Sequence, residues 1–321
     1  MKSYAIYNKN YEVRKQSSSG GVFYELAREV IGKNGVVFGA KFDDEWNVIH
    51  GYTESIETIN DFLGSKYVQS SVGNCYKDVK KFLESGKQCL FSGTPCQVAG
   101  LKAFLGKKYE NLLTIDFICH GVPSRSVWRE YVEKIRNGSE IKSINFRDKS
   151  IGWMQFSLTV HDKDGEIYTN AFNSDLYMKG FLRDIYLRPS CYNCVFKGTD
   201  RKSDITLADY WGVHLDLPEM CDDKGTSFIM VHTKSGQELY KTIEERFVSK
   251  EIKQEKPLSH NPAALVSAKL SKKRRVFFES DTINFELLEK LTRQSKFKNI
   301  LICIFSKGRT KIKKLLGWDE K

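Results

Sequence analysis

The stretch Cys89-Leu90-Phe91-Ser92-Gly93-Thr94-Pro95-Cys96-Gln97-Val98 holds the fold in miniature. Its three leading apolar residues read as a buried strand. Ser92 and Gly93 supply a turn, and Pro95 suits a first helical turn, where its missing N–H costs nothing. From Val98 to Leu105 the apolar residues return at helical spacing. The same strand–turn–helix unit recurs outward. Val36-Val37-Phe38-Gly39-Ala40 reads as a strand and Lys77 to Leu83 as a helix. Leu112 to Ile118 reads as the next strand and Ser126 to Ile135 as the next helix. Upstream, Tyr4 to Tyr7 is a short apolar start, and Val22, Phe23, Leu26, Ala27, Val30 and Ile31 have i, i+4 spacing. Such repetition predicts an α/β core.

From about residue 140 the period changes. Phe156 to Val160 alternates, Lys163-Asp164-Gly165 reads as a turn, and Glu166 to Phe172 returns, a hairpin pattern. A second hairpin-like stretch covers Ser227 to Thr233. After Pro262 the chain is helix-rich and basic. The predicted fold is an α/β core with an α+β middle section and a helical basic C-terminal tail, divided as 1–110, 111–260 and 261–321.

The 321 residues are 40% hydrophobic and 28% charged, which is ordinary globular usage and excludes wholesale disorder. No apolar run approaches the ~20 residues that span a bilayer. Met1 to Tyr7 lacks an apolar core of signal-peptide length, which points to the cytoplasm. The net charge of +11 is uneven. Residues 261–321 hold 15 Lys/Arg against 6 Asp/Glu, so the remaining body is nearly neutral. No basic groove for nucleic acid is implied. The tail segment Lys296 to Trp318 mixes Phe297, Ile300, Leu301, Ile304, Phe305, Leu315, Leu316 and Trp318 with lysines and arginines. It suits a helix lying on an anionic membrane, peripheral to its inner face, or on an acidic partner. The plainer reading is a solvated helix packed on its own domain.

Four of the eight cysteines stand in unusual company. Cys191 and Cys194 form a Cys-x-x-C pair after Arg188-Pro189-Ser190. Cys96 and Cys119 each follow an apolar strand, at the carboxyl end where ligands bind in parallel sheets. Four thiolates meet the needs of a [4Fe–4S] cluster. They also suit structural zinc, or share no site at all. Cys96 alone, at a helix N-terminus, could be a nucleophile. Cys75, Cys89, Cys221 and Cys303 read as ordinary buried thiols.

Three loops could receive an anion. Gln16-Ser17-Ser18-Ser19-Gly20-Gly21 precedes the Val22–Ile31 helix, with serines to cap it and glycines to let a ligand approach. Thr94-Pro95-Cys96-Gln97 has the same logic. The plainer reading of either is an N-cap. Gly64-Ser65-Lys66-Tyr67-Val68-Gln69-Ser70 adds a lysine to neutralise charge and a tyrosine to stack, or is a surface loop. There is no G-x-G-x-x-G or G-x-x-x-x-G-K-[ST], so a standard dinucleotide fold and a P-loop lose support.

Taken in order, these motifs resemble the coenzyme F420 hydrogenase/dehydrogenase beta-subunit family. The resemblance runs over about residues 14–235. It rests on Ser17–Gly21, Val37–Ala40, Gly64–Ser70, Phe91–Gln97, Cys119–Ser124, Phe146–Lys149, Gly152-Trp153, Arg188–Cys194 and Ser203–Gly212. It implies an iron–sulfur flavoprotein oxidoreductase that passes electrons between a [4Fe–4S] cluster, a flavin and F420 or another small redox substrate. Carried over by motif, Cys96, Cys119, Cys191 and Cys194 are the cluster ligands. Ser17, Ser18, Ser19, Gly20, Gly21, Ser65, Lys66, Tyr67, Gln69, Ser70 and Thr94 line FAD, or FMN in its place. Region 1–110 then binds flavin and 111–260 completes the cluster site. Lys66, His120 and Arg147 are the catalytic candidates: Lys66 for the reduced-flavin anion, His120 for cluster tuning or proton relay, Arg147 with Lys149 and Arg201 for reduced-state charge or an acidic substrate. Their plainer readings are a loop lysine, a structural histidine and surface ion pairs.

Larger family members carry an N-terminal ferredoxin-like segment that these residues lack. A separate ferredoxin or another subunit is then the expected redox partner. Short stand-alone relatives occur beside surface-polysaccharide genes, often near polysaccharide pyruvyl transferases. The competing expectation is a zinc-stabilised assembly or binding protein of that pathway.

Overall fold

Alternation along the strands sorts the apolar residues onto two faces of one large sheet. A computed structural model describes residues 1–279 and 282–293. The strands are β1 (Lys2–Asn8), β2 (Val36–Phe42), β3 (Val48–Thr53), β4 (Cys89–Ser92), β5 (Leu112–Phe117), β6 (Ser143–Asp148), β7 (Ser157–His161), β8 (Glu166–Ala171), β9 (Ile205–Asp209), β10 (Ser227–Val231) and β11 (Phe247–Glu251). Eight of them form a sheet in the order β11-β1-β10-β9-β5-β4-β2-β3, and β6-β7-β8 form a second, antiparallel one. The main helices are α1 (Tyr11–Gln16), α2 (Val22–Gly32), α3 (Cys75–Glu84), α4 (Pro95–Leu105), α5 (Arg125–Arg136) and α6 (Leu176–Leu182). The predicted α/β core and α+β middle section are both present.

Successive strand residues face opposite ways. Ile6, Val37, Leu90, Ile115 and Ile229 pack under Val22, Leu26, Ala27 and Val30 of α2. Val36, Phe38, Cys89 and Phe91 meet Val79 and Leu83 of α3 and Val98 and Leu101 of α4 on the other face. Cys75 and Cys89 are core residues here, and burial pushes both thiols up to about 12.

Strand direction, more than strand order, decides which loops meet. β2, β4, β5 and β9 are mutually parallel. β10 runs against β9, and β1 runs against β10, so β1 points with the parallel block. The loops that leave β1, β2, β4, β5 and β9 therefore share one edge of the sheet.

The Phe156–Phe172 hairpin forms as β7 and β8, closed by Phe172 N–H donating to Phe156 O at 3.0 Å. The second expected hairpin does not form. Ser227–Val231 is one buried central strand between β1 and β9, and Thr233 already caps the helix Lys234–Ile243. Phe228 to Val231 contain no turn former, so their apolar run continues straight through the core.

The chain divides into two units, Met1–Ser271 and Lys272–Lys321. In the second, Lys272–Phe277 and Phe285–Thr292 are helical. The segment Lys296 to Trp318, and Cys303 with it, lie outside the described residues. Among the described residues no helix is long and apolar enough to cross a membrane.

Candidate redox site

Cys96 stands in the first turn of α4, at the end of the short loop that leaves β4. Gln97 folds back there: its Oε1 accepts from Thr94 N–H at 2.9 Å, and its Nε2 donates to Ser70 Oγ at 2.8 Å. Thr94 Oγ1 lies 3.0 Å from Cys96 Sγ. Cys119 follows β5, after Ile118 N–H makes a last ladder bond to Leu207 O at 3.0 Å. Cys191 and Cys194 belong to the 3-10 turn Pro189–Asn193 and its C-cap. That turn is sewn to the loop after β5 by Arg188 N–H donating to Val122 O at 2.8 Å and by a Pro123–Leu187 bridge. Val122 N–H points at Cys191 Sγ, 3.5 Å away.

The four cysteines line one cavity of about 110 Å³, together with Thr94, His120, Arg188, Lys197 and Arg201. Burial pushes the Cys119 thiol up to about 12; Lys197 pulls it down, and Cys191, Cys96 and Cys194 push it further up. A thiolate there calls for a cationic partner in the cavity itself. Among the described residues no three His, Cys, Asp or Glu side chains are grouped to hold a metal ion. His120 hydrogen-bonds Asp184 through Nε2 at 2.7 Å, and its ring meets Phe181 edge-on at 5.1 Å.

The serine–glycine loop lies on the same sheet edge, after β1 and α1. The expectation that its serines cap α2 is not met. Ser17 Oγ donates to Val13 O at 2.8 Å and closes α1 instead. Gly21, left-handed at φ +84°, is the N-cap of α2 and offers no side chain. Among the described residues no side chain caps the first N–H groups of this helix, the condition in which a helix end receives an anion. Gly20 answers to the protein's own packing: a Cβ there would lie 2.4 Å from Ile6 O, and its N–H donates to Ser227 Oγ at 2.9 Å. Ser19 Oγ is buried with no hydrogen-bond partner among the described residues.

The 64–70 segment joins the two places. Ser65 Oγ donates to Ser18 Oγ at 2.9 Å near one end. At the other, Gln69 N–H donates to Pro123 O at 3.1 Å and Ser70 receives Gln97. Between them the Tyr67 ring packs against Phe181 at 5.1 Å and Phe146 at 5.6 Å. Lys66 Nζ donates to Leu63 O at 2.8 Å, and desolvation pushes its amine down to about 7.

Arg147 is no surface ion pair. It is 2% exposed and pairs bidentately with Asp209, both bonds 3.1 Å. It also donates to Ser18 O at 3.0 Å and Tyr67 Oη at 3.2 Å, and lies 4.0 Å over the Phe156 ring. Lys149 is likewise tied to backbone, donating to Arg14 O at 2.5 Å and Lys224 O at 3.0 Å. Burial, then the charges of Arg147 and Arg14, push its amine down to about 7.

Residues 86–256, more than half of the chain, match the family model for the C terminus of the coenzyme F420 hydrogenase/dehydrogenase beta subunit. The chain belongs to the F420 beta-subunit family. The resemblance drawn from its motifs is borne out. Among solved structures, this F420 beta-subunit relative is similar to a chain of the F420-reducing [NiFe] hydrogenase complex from Methanosarcina barkeri, determined as a xenon derivative. The match covers 82% of this chain and 87% of that one, with 18% identity and a TM-score of 0.58, a likeness of fold. No curated protein matches the chain.

Several residues of this family member escape a reading of the sequence. Asp209 lies inside the Ser203–Gly212 motif without an evident role, yet it anchors Arg147 and accepts from Trp153 Nε1 at 3.0 Å. Its signal is its place at the end of a strand parallel to β4 and β5. Phe181 and Asp184 carry no signal, because only the fold brings α6 and the residue after its C-cap beside His120.

Proposed function

We propose that this chain is an oxidoreductase in which Cys96, Cys119, Cys191 and Cys194 hold a [4Fe–4S] cluster, and the Ser17–Gly21 loop, the 64–70 segment and Thr94 hold a flavin. The observation that carries the reading is that four cysteines from three separate segments line one cavity, on the sheet edge from which that loop also leaves. Zinc on the same four thiolates is the competing occupant, and iron, sulfide and zinc content tells the two apart. A buried Ser19 hydroxyl without a partner and an α2 N-terminus without a side-chain cap support an anionic cofactor at the loop.

A cluster exchanges single electrons and a flavin exchanges either one or two, so together they can serve a hydride-carrying substrate such as F420. The chain's own residues position and charge the two sites. Arg147 fixes Ser18 and Tyr67 to β9 through Asp209. Gln97 and Ser70 hold the 64–70 segment to the turn that bears Cys96. His120 is held by Asp184, so its ring stays at the cavity wall. An external electron carrier, a ferredoxin or another subunit, completes the circuit in the cytoplasm.

Anaerobic purification tests this directly. The expected protein is brown and yields iron, sulfide and flavin, and Cys191→Ala loses the iron. Colourless protein with about one zinc per chain would overturn the reading in favour of a zinc-stabilised assembly protein.

A further inference from the structure

Arg201 is a buried cation that the described residues do not fully satisfy. Its side chain is 3% exposed, it lines the four-cysteine cavity, and its Nε and Nη2 have no hydrogen-bond partner among the described residues. Its counter-ion is Asp116, 1% exposed, with 3.8 Å between Nη1 and Oδ2. That distance is an ion pair but too long for a hydrogen bond. Asp116 Oδ2 is equally without one.

The gap has a structural cause. Asp116 stands opposite Thr206 in the β5–β9 ladder, and Thr206 Oγ1 donates to Asp116 Oδ1 at 2.5 Å. Thr206 Oγ1 is in turn 2.9 Å from His232 Nε2. The carboxylate is pinned from the strand side and does not turn to close on the guanidinium. A buried guanidinium with unmet donors is unfavourable unless negative charge meets it. The cavity it lines brings that charge, in four thiolates. Arg188 repeats the pattern more weakly: its Nη2 is 3.5 Å from Cys96 Sγ and its Nε is unpartnered.

We propose that Arg201, steadied by Asp116, is the positioning residue that sets how readily the four-cysteine centre accepts an electron. The inference rests on the cluster reading above. A one-electron reduction adds one negative charge to the cavity, and a fixed cation beside it favours that charge. Cluster potentials respond to net charge and to hydrogen bonds on sulfur. Asp116 opposes part of the cation and so holds the potential down. The two residues therefore act with opposite sign.

The test is a mediated electrochemical titration of anaerobic full-length protein, read by the cluster's visible absorbance, with iron content measured alongside. At the potential where half of the wild-type cluster is reduced, Arg201→Gln is expected to show a reduced-to-oxidised ratio about tenfold lower, which corresponds to about 59 mV for one electron. Asp116→Asn is expected to shift the ratio the other way. Arg201→Lys, which keeps the charge but not the fork, falls between wild type and Arg201→Gln. Unchanged ratios, or shifts of one sign in both Arg201→Gln and Asp116→Asn, overturn the inference and leave the cluster reading standing. Wild-type protein without iron overturns both. If Arg201→Gln does not fold, the sign of the Asp116→Asn shift decides.

Discussion

Replacing Arg147 by methionine breaks the join between the main sheet and the loop after β1. Arg147 sends two N–H groups to Asp209, one to Ser18 O and one to Tyr67 Oη. Breaking a buried ion pair by removing one partner costs about 3–5 kcal/mol. Asp209 keeps 19% of its side chain exposed and a bond from Trp153, so the lower end applies, about 3 kcal/mol. The lost bonds to Ser18 and Tyr67 add about 1–3 kcal/mol if water does not replace them. The sum is on the order of 5 kcal/mol, or on the order of 10 °C in Tm for a chain of this size. Asp209→Leu alone leaves the guanidinium without its counter-ion and should cost about 3 kcal/mol.

The double variant separates the terms. Arg147→Met with Asp209→Leu removes both charges, so the ion-pair penalty is not counted twice. Its loss should fall short of the sum of the single losses by about 2 kcal/mol or more. The remainder reports the orphaned Ser18 carbonyl and Tyr67 hydroxyl. Denaturant midpoints of the three variants, and flavin retention after gel filtration, are the measurements. Single losses below about 1 kcal/mol, or strict additivity, would refute the account of Arg147 as the clamp.

Lys66 gives a pH signature. Its amine is pushed down to about 7 by desolvation, so from about pH 7 to 10.5 the folded chain holds fewer protons than the unfolded one. Its contribution to stability therefore rises with pH through that window and is at its most unfavourable below pH 7; Lys66→Met should stabilise more at pH 6 than at pH 10, and an equal effect at both would contradict the assignment. Gly20→Ala places a methyl 2.4 Å from Ile6 O and should cost about 1–3 kcal/mol by urea unfolding. Deleting residues 296–321 should lower binding to anionic vesicles in a flotation assay and leave iron content unchanged.

Most of this fold is written in periodicities that the sequence displays openly. The strand–turn–helix units around Cys96 and Cys119 need only local rules, because each apolar run is short and each turn carries Gly, Thr or Pro. Ser227–Val231 misleads for a physical reason. A fully buried strand loses the alternation that marks a half-buried one, and Ser227 and Thr233 imitate turn residues. The four cysteines are legible as a set because thiols are rare and chemically distinctive. Arg147 is not legible as a clamp. A lone arginine most often faces solvent, and its partner Asp209 is far along the chain. Gly20 reads as room for a ligand, whereas the backbone of β1 fills that room.

The direction of β1 explains why a loop near residue 20 and a Cys-x-x-C pair near residue 190 can belong to one site. Had β1 paired with β9 directly and antiparallel, its carboxyl end would lie at the opposite edge, a full strand length from Cys96 and Cys119. Insertion of the antiparallel β10 between them restores the direction, so Ile6, Ser227 and Asp209 fall in one row across three strands. Gly20 rests on the first two members of that row, and Arg147 on the third. The clamp and the loop are thus fixed to the same rigid register. The 64–70 segment then spans from Ser18 to Gln97 without a secondary-structure element of its own, held at its ends by side chains and by Pro123. Its middle is held as well, by Arg147 donating to Tyr67 Oη, by Tyr177 Oη donating to Tyr67 O, and by the Phe146 and Phe181 rings against Tyr67. Ser65, Gln69 and Ser70 are thus the end anchors of the segment, and Tyr67 is its anchor in the middle.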